Sequence, residues 1–342
     1  MSRRAHASPA PARAADGPDD RPLLTLAHSP DPDDVFMWWP VTGMVDPRDP
    51  ARLLRPPGID TGRFRFRSIP EDIDALNRRA IAAADLDITA VSIAAYPALA
   101  ARYALTRCGS SMGLGYGPKV VARAESTLSS ADLASRLRDG RATIAVPGVR
   151  TTAFLVFSLM VAARVSPADH PAAGPIPDRQ VIEMPFDRIV HAVVSGRADA
   201  GLLIHQSQLT FNAMGLRQVA DVGAWWFDRT GLPLPLGGNA IRRDLDDRFG
   251  PGTCREIAAT LRRSIEHALA HRDLSVRYAM GFAPEIDRAQ AERYIDLYVN
   301  RFTLDAGSDG LQAIRRLLDE AAAAGLPAAG SWTGVLDIID PA

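Results

Sequence analysis

The sequence predicts an α/β protein of two similar lobes around a shared cleft, and two observations carry the prediction. Short apolar runs alternate with stretches of helical spacing along most of the chain, the pattern of strands interleaved with helices. One such order also occurs twice. In the first copy Ile73, Leu76, Ala80 and Ile81 recur at helical spacing to about Ala84, an acidic turn follows, and the apolar run at residues 88–91 ends in Ser92. In the second, a helix over residues 186–195 stops at Gly196, a polar turn follows, and the run at residues 201–204 ends in His205. An α/β chain without duplicated lobes also echoes itself in this way, so the repeat alone leaves both arrangements open. In either, Ser92 and His205 stand at strand ends, where open α/β sheets place ligands.

Composition narrows the class. A chain of 342 residues fits about two domains, and 47% hydrophobic residues are enough to give each a core. The 39 basic residues balance 40 acidic ones without a long single-sign block, which argues against a nucleic-acid groove or a polybasic membrane anchor. Lys119 is the sole lysine, so Schiff-base chemistry would rest on it alone. Cys108 and Cys254 lie far apart with no Cys-x-x-Cys pair, which argues against a disulfide framework and a thiolate zinc site. No metal is expected. The longest apolar stretch, residues 153–163, falls short of the roughly 20 residues of a membrane span. Residues 1–22, rich in Ala, Pro, Arg and Asp, lack the apolar centre of a signal peptide and read as a disordered tail. The expectation is a soluble, cytoplasmic protein that binds a small molecule; nothing in the sequence sets its oligomeric state.

The elements follow in order. Residues 23–27 read as a strand that runs into His28 and Ser29 and then the proline-broken loop Asp31, Pro32, Asp33, Asp34. Asp33 or Asp34 is expected to cap the following helix, since the acidic spacing fits no calcium loop. Ser29 is a group for the cleft; His28 is either a second one or a hydrogen-bonded structural residue. Residues 43–62 show no period and read as a long surface connection, and residues 64–66 alternate like a strand. After the first repeat an alanine-rich helix runs to Tyr103. Gly113, Gly115 and Gly117 then recur with a spacing that is wrong for a dinucleotide fingerprint, and a strand rather than a helix follows. They serve close backbone approach to a ligand or a hinge between lobes.

Residues 143–146 form a further strand, and Pro147 and Gly148 lead to Thr151 and Thr152 at the start of the apolar helix over residues 153–163. A glycine loop entering a helix presents unpaired N–H groups and the positive end of the dipole, an anion site to which the threonine hydroxyls add donors. Capping needs only one of the two threonines. Residues 166–177 read as a proline-rich loop and residues 180–184 as a strand. Trp225 and Trp226 are either flat walls for an aromatic ligand or core residues. Residues 231–238 resemble a stiff return crossover, and the remainder is helical, with Ile257, Leu261 and Ile265 on one apolar face and Ile314, Leu317 and Leu318 on another. His267 and His271 lack the Glu of a His-Glu-x-x-His zinc helix and read as a solvated face.

In combination these motifs resemble the 1,4-dihydroxy-6-naphthoate synthase family of the futalosine route to menaquinone. The resemblance spans Leu24 to about Leu317. It is carried by Ser29-Pro30 with Pro32 and Asp34, Asp87 through Thr89 with Ser92 and Tyr96, Gly113 through Pro118, Pro147-Gly148 with Thr151-Thr152-Ala153, Pro185-Phe186-Asp187, Gly201 to His205, Asp221 through Gly223 with Trp225-Trp226, and Gly231-Leu232-Pro233 with Pro235 to Gly237. The resemblance implies a two-lobed fold similar to type II periplasmic binding proteins. Residues 23–118 and 231–342, the latter including the C-terminal helices, would form one lobe, residues 119–230 the other, and the ligand would lie between them. It further implies a carbon–carbon lyase that works without a cofactor on an anionic substrate, splitting cyclic dehypoxanthinyl futalosine to 1,4-dihydroxy-6-naphthoate and dihydroxyacetone. His205 takes the place of the proton acceptor, and Ala90, Val91, Ser92, Thr151 and Thr152 take substrate-binding places. Ser29, and Trp225 and Trp226 as walls for the developing ring, are added from the residues themselves.

The chain departs from the family pattern at identifiable points. The family usually reads Ser-Pro-Cys-Pro-Asn-Asp-Thr-Phe where this chain has Asp31 and Asp33 in place of the thiol and the amide. Two extra carboxylates beside an anionic substrate are unfavourable unless they turn away or are paired. A lysine usual in the family is Ala90, and the glutamate that typically follows the histidine is Gln206, which cannot stabilise an imidazolium by charge. The last two departures favour a rival reading, a non-catalytic small-molecule-binding protein of the same fold.

Overall fold

A computed structural model of the chain describes residues 19–165 and 176–341. Most of the tail expected at residues 1–22 and of the loop expected at residues 166–177 lies outside these. The described residues hold the strands β1 (Leu23–His28), β2 (Met44–Asp46), β3 (Asp49–Arg55), β4 (Arg65–Pro70), β5 (Ile88–Ser92), β6 (Tyr103–Thr106) and β7 (Ser111–Gly113). They continue with β8 (Lys119–Arg123), β9 (Ile144–Val146), β10 (Val181–Glu183), β11 (Ala200–Leu203), β12 (Leu216–Asp221), β13 (Leu234–Arg242) and β14 (Ile338–Ile339).

Two sheets dominate and repeat one pairing scheme. In the first lobe β4, β1 and β5 run parallel, β13 joins β5 antiparallel, and β6 joins β13 antiparallel. In the second, β10, β9 and β11 run parallel, β8 joins β11 antiparallel, and β12 joins β8 antiparallel. The echo in the sequence is therefore a repeated topology. β5 ending in Ser92 corresponds to β11 running into His205, and β1 ending beside Ser29 corresponds to β9 ending before Thr151.

Burial explains why these runs become strands. All five residues of β5 and all four of β11 are buried, the near-continuous apolar pattern of strands covered on both faces. The helix Pro32–Thr42 is buried along its whole length, packed between the first sheet and the helices Thr253–Ala270, Arg272–Ala279 and Arg288–Tyr298. A chain that folds back from its C-terminal third to cover its first helix makes the first lobe from both ends of the sequence. One apolar core continues from Val91 and Ile93 in the first lobe to Val120, Leu202 and Ile204 in the second.

Three expectations need correction. The alanine-rich helix expected to run to Tyr103 ends at Leu99, and Tyr103 opens β6, where pairing with β13 overrides helical composition. The stretch read as an irregular connection at residues 43–62 contains the hairpin β2–β3; its exposed strand Asp49–Arg55 pairs across irregular register, so no apolar alternation marks it. The stretch read as a crossover at residues 231–238 opens into β13, the nine-residue strand that pairs with β5, β6 and β7. Pro235 sits in the pairing with β7 where the register shifts, an irregularity at which a residue without an N–H is tolerated.

The glycine cluster lies where the chain passes from the first lobe to the second, against the start of the helix Val222–Thr230. A Cβ on Gly223 would stand 2.1 Å from the carbonyl group of Tyr116, and one on Gly117 would stand 2.9 Å from the Cα of Gly223. Val222 N–H donates to the carbonyl of Pro118 at 3.0 Å in the same place. The glycines thus allow backbone to meet backbone at the crossing. Gly223→Ala is expected to destabilise the fold by about 1–3 kcal/mol, the range for overpacking a tight site. Urea denaturation measures this; an unchanged midpoint would contradict the close approach.

Candidate active site

The cleft between the lobes is lined by four strand ends and their following turns: Ser29, Asp31, Asp33 and Asp34 after β1, Ala90 to Ser92 on β5, Thr151 to Ala153 after β9, and Ile204 and His205 after β11. Ser111, Gln208, Asn239, Tyr294 and Tyr298 complete the polar wall. The sequence-derived positions Ser29, Ala90, Val91, Ser92, Thr151, Thr152 and His205 are thus brought together. Trp225 and Trp226 are not. Trp226 is fully buried in the core with its indole N–H donated to the carbonyl of Pro233 at 3.0 Å, and Trp225 packs against the same core beneath the guanidinium of Arg229. Apolar burial outweighed the ligand role for this pair, with Trp226 on the buried side of the helix Val222–Thr230 and Trp225 half-buried beside it.

His205 is the focus of the geometry. It follows β11 with a φ of 58°, a left-handed conformation that costs a non-glycine residue energy and that is shared among the described residues only by Ala84. Its ring lies edge-on to Phe186 at 4.4 Å between centroids. Nδ1 donates to Asp31 Oδ2 across the cleft. Nε2 is buried and has no hydrogen-bond partner among the described residues. Burial opposes a charge on this imidazole, yet the charge and hydrogen bond of Asp31, with the more distant Asp72 and Asp33, outweigh it and raise its pKa.

The aspartates are not the caps expected of them. The helix begins at Pro32, where no first-turn N–H is lost, and Asp31 at its N-cap makes no capping bond. Instead Ser29 Oγ donates to Asp31 Oδ2 at 2.5 Å, the Ser29 N–H donates to Asp34 Oδ2 at 2.9 Å, and Ser111 Oγ donates to Asp33 Oδ2 at 3.0 Å. Burial and the neighbouring Asp31 charge push Asp33 up to about 6, and burial with Asp33 and Asp31 nearby holds Asp34 well above the usual carboxylate range. His28 is structural: Ser29 O and Ser68 Oγ take its two nitrogens, each at 2.7 Å, and burial pulls it down to about 4.

The remaining polar groups are held from behind. Asn77 receives the Ser92 N–H at 2.9 Å and donates to Ser92 Oγ at 3.0 Å. Thr151 caps its helix by accepting the Phe154 N–H at 3.2 Å. Thr152 supplies the reason that capping left missing. Its hydroxyl accepts the Ala94 N–H at 3.1 Å and donates to Leu236 O at 2.6 Å, bridging the lobes. Thr152 and Ala153, in the first turn of their helix, line the cleft, and a helix start leaves its first N–H groups without intrahelical partners. Asn239 donates to Gly109 O at 2.8 Å, and its buried Oδ1 has no partner among the described residues, a second free acceptor beside the cleft. Sequence reasoning missed Asn239, Tyr294, Tyr298 and Gln208. Only the i, i+4 spacing of the tyrosines on one helix hinted at a shared face. No group of three or more metal-ligating side chains occurs among the described residues, and none of their helices is long and apolar enough to cross a membrane.

Comparison with known proteins places this arrangement. A family profile described as menaquinone biosynthesis matches residues 24–323. The 1,4-dihydroxy-6-naphthoate synthases of Thermus thermophilus and Streptomyces coelicolor are 38% and 37% identical to the chain, over 89% and 90% of it and 96% of each relative. Among solved structures, a protein from Archaeoglobus fulgidus is 35% identical with a TM-score of 0.69, covering 89% of this chain and 98% of its own. The alkanesulfonate-binding protein SsuA of Xanthomonas axonopodis, solved with MOPS bound, shares the fold at a TM-score of 0.62 and 13% identity, over 93% of this chain and 98% of that one.

The doubly bonded Ser92 generates a prediction. Asn77→Ala removes both bonds and strands two buried polar groups, a cost of about 2–6 kcal/mol at the usual 1–3 kcal/mol for each group. Thermal or urea unfolding and ligand titration should show lower stability together with weaker binding; unchanged affinity would remove Ser92 from the binding wall.

Proposed function

The chain belongs to the menaquinone-biosynthesis family, and on that premise we propose that it is the lyase that releases 1,4-dihydroxy-6-naphthoate, with cyclic dehypoxanthinyl futalosine as substrate and His205 as proton acceptor. The observation that carries the reading is His205 itself. It is a buried imidazole whose Nδ1 is already engaged and whose Nε2 has no partner, in the cleft that the family's substrate-binding positions line. A neutral imidazole so held has one lone pair to offer, and Asp31, which raises its pKa above the ordinary value near 6.5, makes it a stronger proton acceptor.

In the proposed reaction Nε2 takes a proton from the three-carbon part of the bound substrate, and the electron pair left behind forms a new double bond within that part. The carbon–carbon bond joining it to the ring breaks, the pair of that bond passes into the ring that becomes aromatic, and the fragment leaves at the oxidation level of dihydroxyacetone. Phe186, Ile73, Val91 and Ile204 around the imidazole keep the proton-transfer region apolar. The proposal assigns the substrate's carboxylate to the N–H groups of Thr152 and Ala153 at the head of a 14-residue helix, where a negative charge is favoured. Ser29, Ser92 and Asn239 would meet its hydroxyls. The assignment needs no cofactor.

The proposal takes residues 119–230 as one lobe and residues 23–118 with 231–342 as the other, closing over the substrate about the glycine crossing. It places the enzyme in the futalosine route and in the cytoplasm, a reducing setting consistent with the buried free thiols of Cys108 and Cys254.

His205→Asn tests the reading, since asparagine tolerates the left-handed backbone that this position requires. Turnover of cyclic dehypoxanthinyl futalosine, followed by chromatography of the naphthoate product, is expected to fall by about 10²–10⁴-fold, the usual weight of a general base, with substrate binding retained. Full turnover in the variant would sink the role of His205. Wild-type protein that binds the substrate and returns it intact would establish the non-catalytic binding protein instead, the reading that Ala90 and Gln206 favour.

A further inference from the structure

We infer that Asp31 is the positioning residue for His205, supplied by the opposite lobe, so that the base is complete only when the lobes are together. The inference rests on the proposed role of His205 but is tested separately from it.

Four observations converge. Asp31 stands on the turn between β1 and the helix Pro32–Thr42 in the first lobe, and His205 follows β11 in the second, yet Nδ1 of the imidazole donates directly to Asp31 Oδ2. Both side chains are more than nine-tenths buried, 9% and 7% exposed, so the contact is shielded from water and salt. Asp31 is itself oriented by the Ser29 hydroxyl at 2.5 Å, giving the order Ser29, Asp31, His205. Asp31 forgoes the capping bond its position offers, which leaves its carboxylate free for the imidazole.

The chemical consequence follows from the hydrogen bond. A carboxylate that accepts from Nδ1 selects the tautomer with its proton there and its lone pair on Nε2, the atom without a partner. When Nε2 takes a proton, the new positive charge lies beside the Asp31 carboxylate and is stabilised without reorganisation. Gln206, next in the chain, performs neither task, because its amide donates to Glu285 away from the imidazole. The other titratable groups around the site are Asp33 and Asp34 from the same helix start, Asp72 capping the helix Ile73–Ala82, and Tyr294 and Tyr298 from the helix Arg288–Tyr298. None of them is hydrogen-bonded to the ring.

The sign of the pH effect is fixed by this arrangement. Only neutral His205 accepts a proton, so activity is lost as pH falls through its pKa, and Asp31 raises that pKa against burial. In Asp31→Asn the acid limb of kcat/KM is expected to move to lower pH by about 1–3 units, the usual effect of an adjacent opposite charge, while the plateau falls by about 10²-fold or more. Asp31→Glu, which keeps the charge, is expected to keep the acid limb within about half a unit of wild type, a small fraction of that shift. An acid limb that stays in place in Asp31→Asn would overturn the inference.

Nitrogen-15 NMR of the histidine rings gives a readout independent of turnover and, for the wild type, of any variant's folding, with His205→Asn identifying the signal. The expected wild-type result is a neutral His205 protonated at Nδ1, with a pKa above about 6.5. A neutral His205 protonated at Nε2 would overturn the inference even if His205→Asn is inactive. Conversely, an active His205→Asn enzyme, found together with a wild-type His205 that is protonated at Nδ1 and whose pKa drops in Asp31→Asn, would uphold the pairing and reject the base assignment.

Discussion

The cleft depends on one electrostatic constraint: a carboxylate and an imidazole are buried together between two lobes. Removing either partner would leave a charged or polar group without water, and such groups are costly unless paired. The two sheets place the pair by the same device, a parallel strand ending in a turn at the cleft, used once for Asp31 and once for His205. The left-handed backbone at His205 is a further cost located where the ring must turn out of its strand. Thr152 crosses the same interface with a neutral hydroxyl, bonded to Ala94 in the first lobe and to Leu236 on β13. Two polar contacts that join the lobes thus lie at the site itself, and an apolar core continues from one lobe to the other.

The legible part of this fold was what short-range pattern encodes. The two helix–strand repeats, the apolar runs of β5 and β11 and the polar residues at their ends were readable because strand burial on both faces forces unbroken hydrophobicity. His205 was found that way, and Ser92 with it. The strand β13 was hidden because its Pro and Gly residues carry a turn-like composition, and only tertiary pairing with β5 and β6 overrides that preference. The hairpin β2–β3 was hidden because its exposed strand has no buried face to impose alternation.

The site was legible only to the extent that it is local. Asp31 and Asp33 are visible in the sequence as departures from the family pattern, carboxylates expected to be unfavourable unless they turn away or are paired. Their partners, His205 and Ser111, come from distant parts of the sequence, and no periodicity links them. The tryptophans failed for a related reason. Two adjacent aromatic residues on a helix point in different directions, and which face meets the core is decided by the helix's docking rather than by composition. Gln208 and Tyr298, bonded across the same cleft at 3.2 Å, were silent for want of any local signature.

The abundance of carboxylates in a cleft proposed for an anionic ligand resolves once protons are counted. Asp31 faces an imidazole whose positive form it stabilises, so this pair approaches neutrality when His205 is protonated. Asp33, pushed up to about 6, and Asp34, held well above the usual carboxylate range, carry less charge near neutral pH than their number implies. An incoming carboxylate would raise both further by like-charge repulsion and convert them from acceptors toward hydrogen-bond donors. The negative end of a ligand is in turn favoured at the opposite wall, by the helix start at Thr152 and Ala153. The cleft thus divides by chemistry: a proton-rich acidic wall on the first lobe, an N–H wall on the second, and between them the one imidazole that belongs to the second lobe but takes its counter-charge from the first.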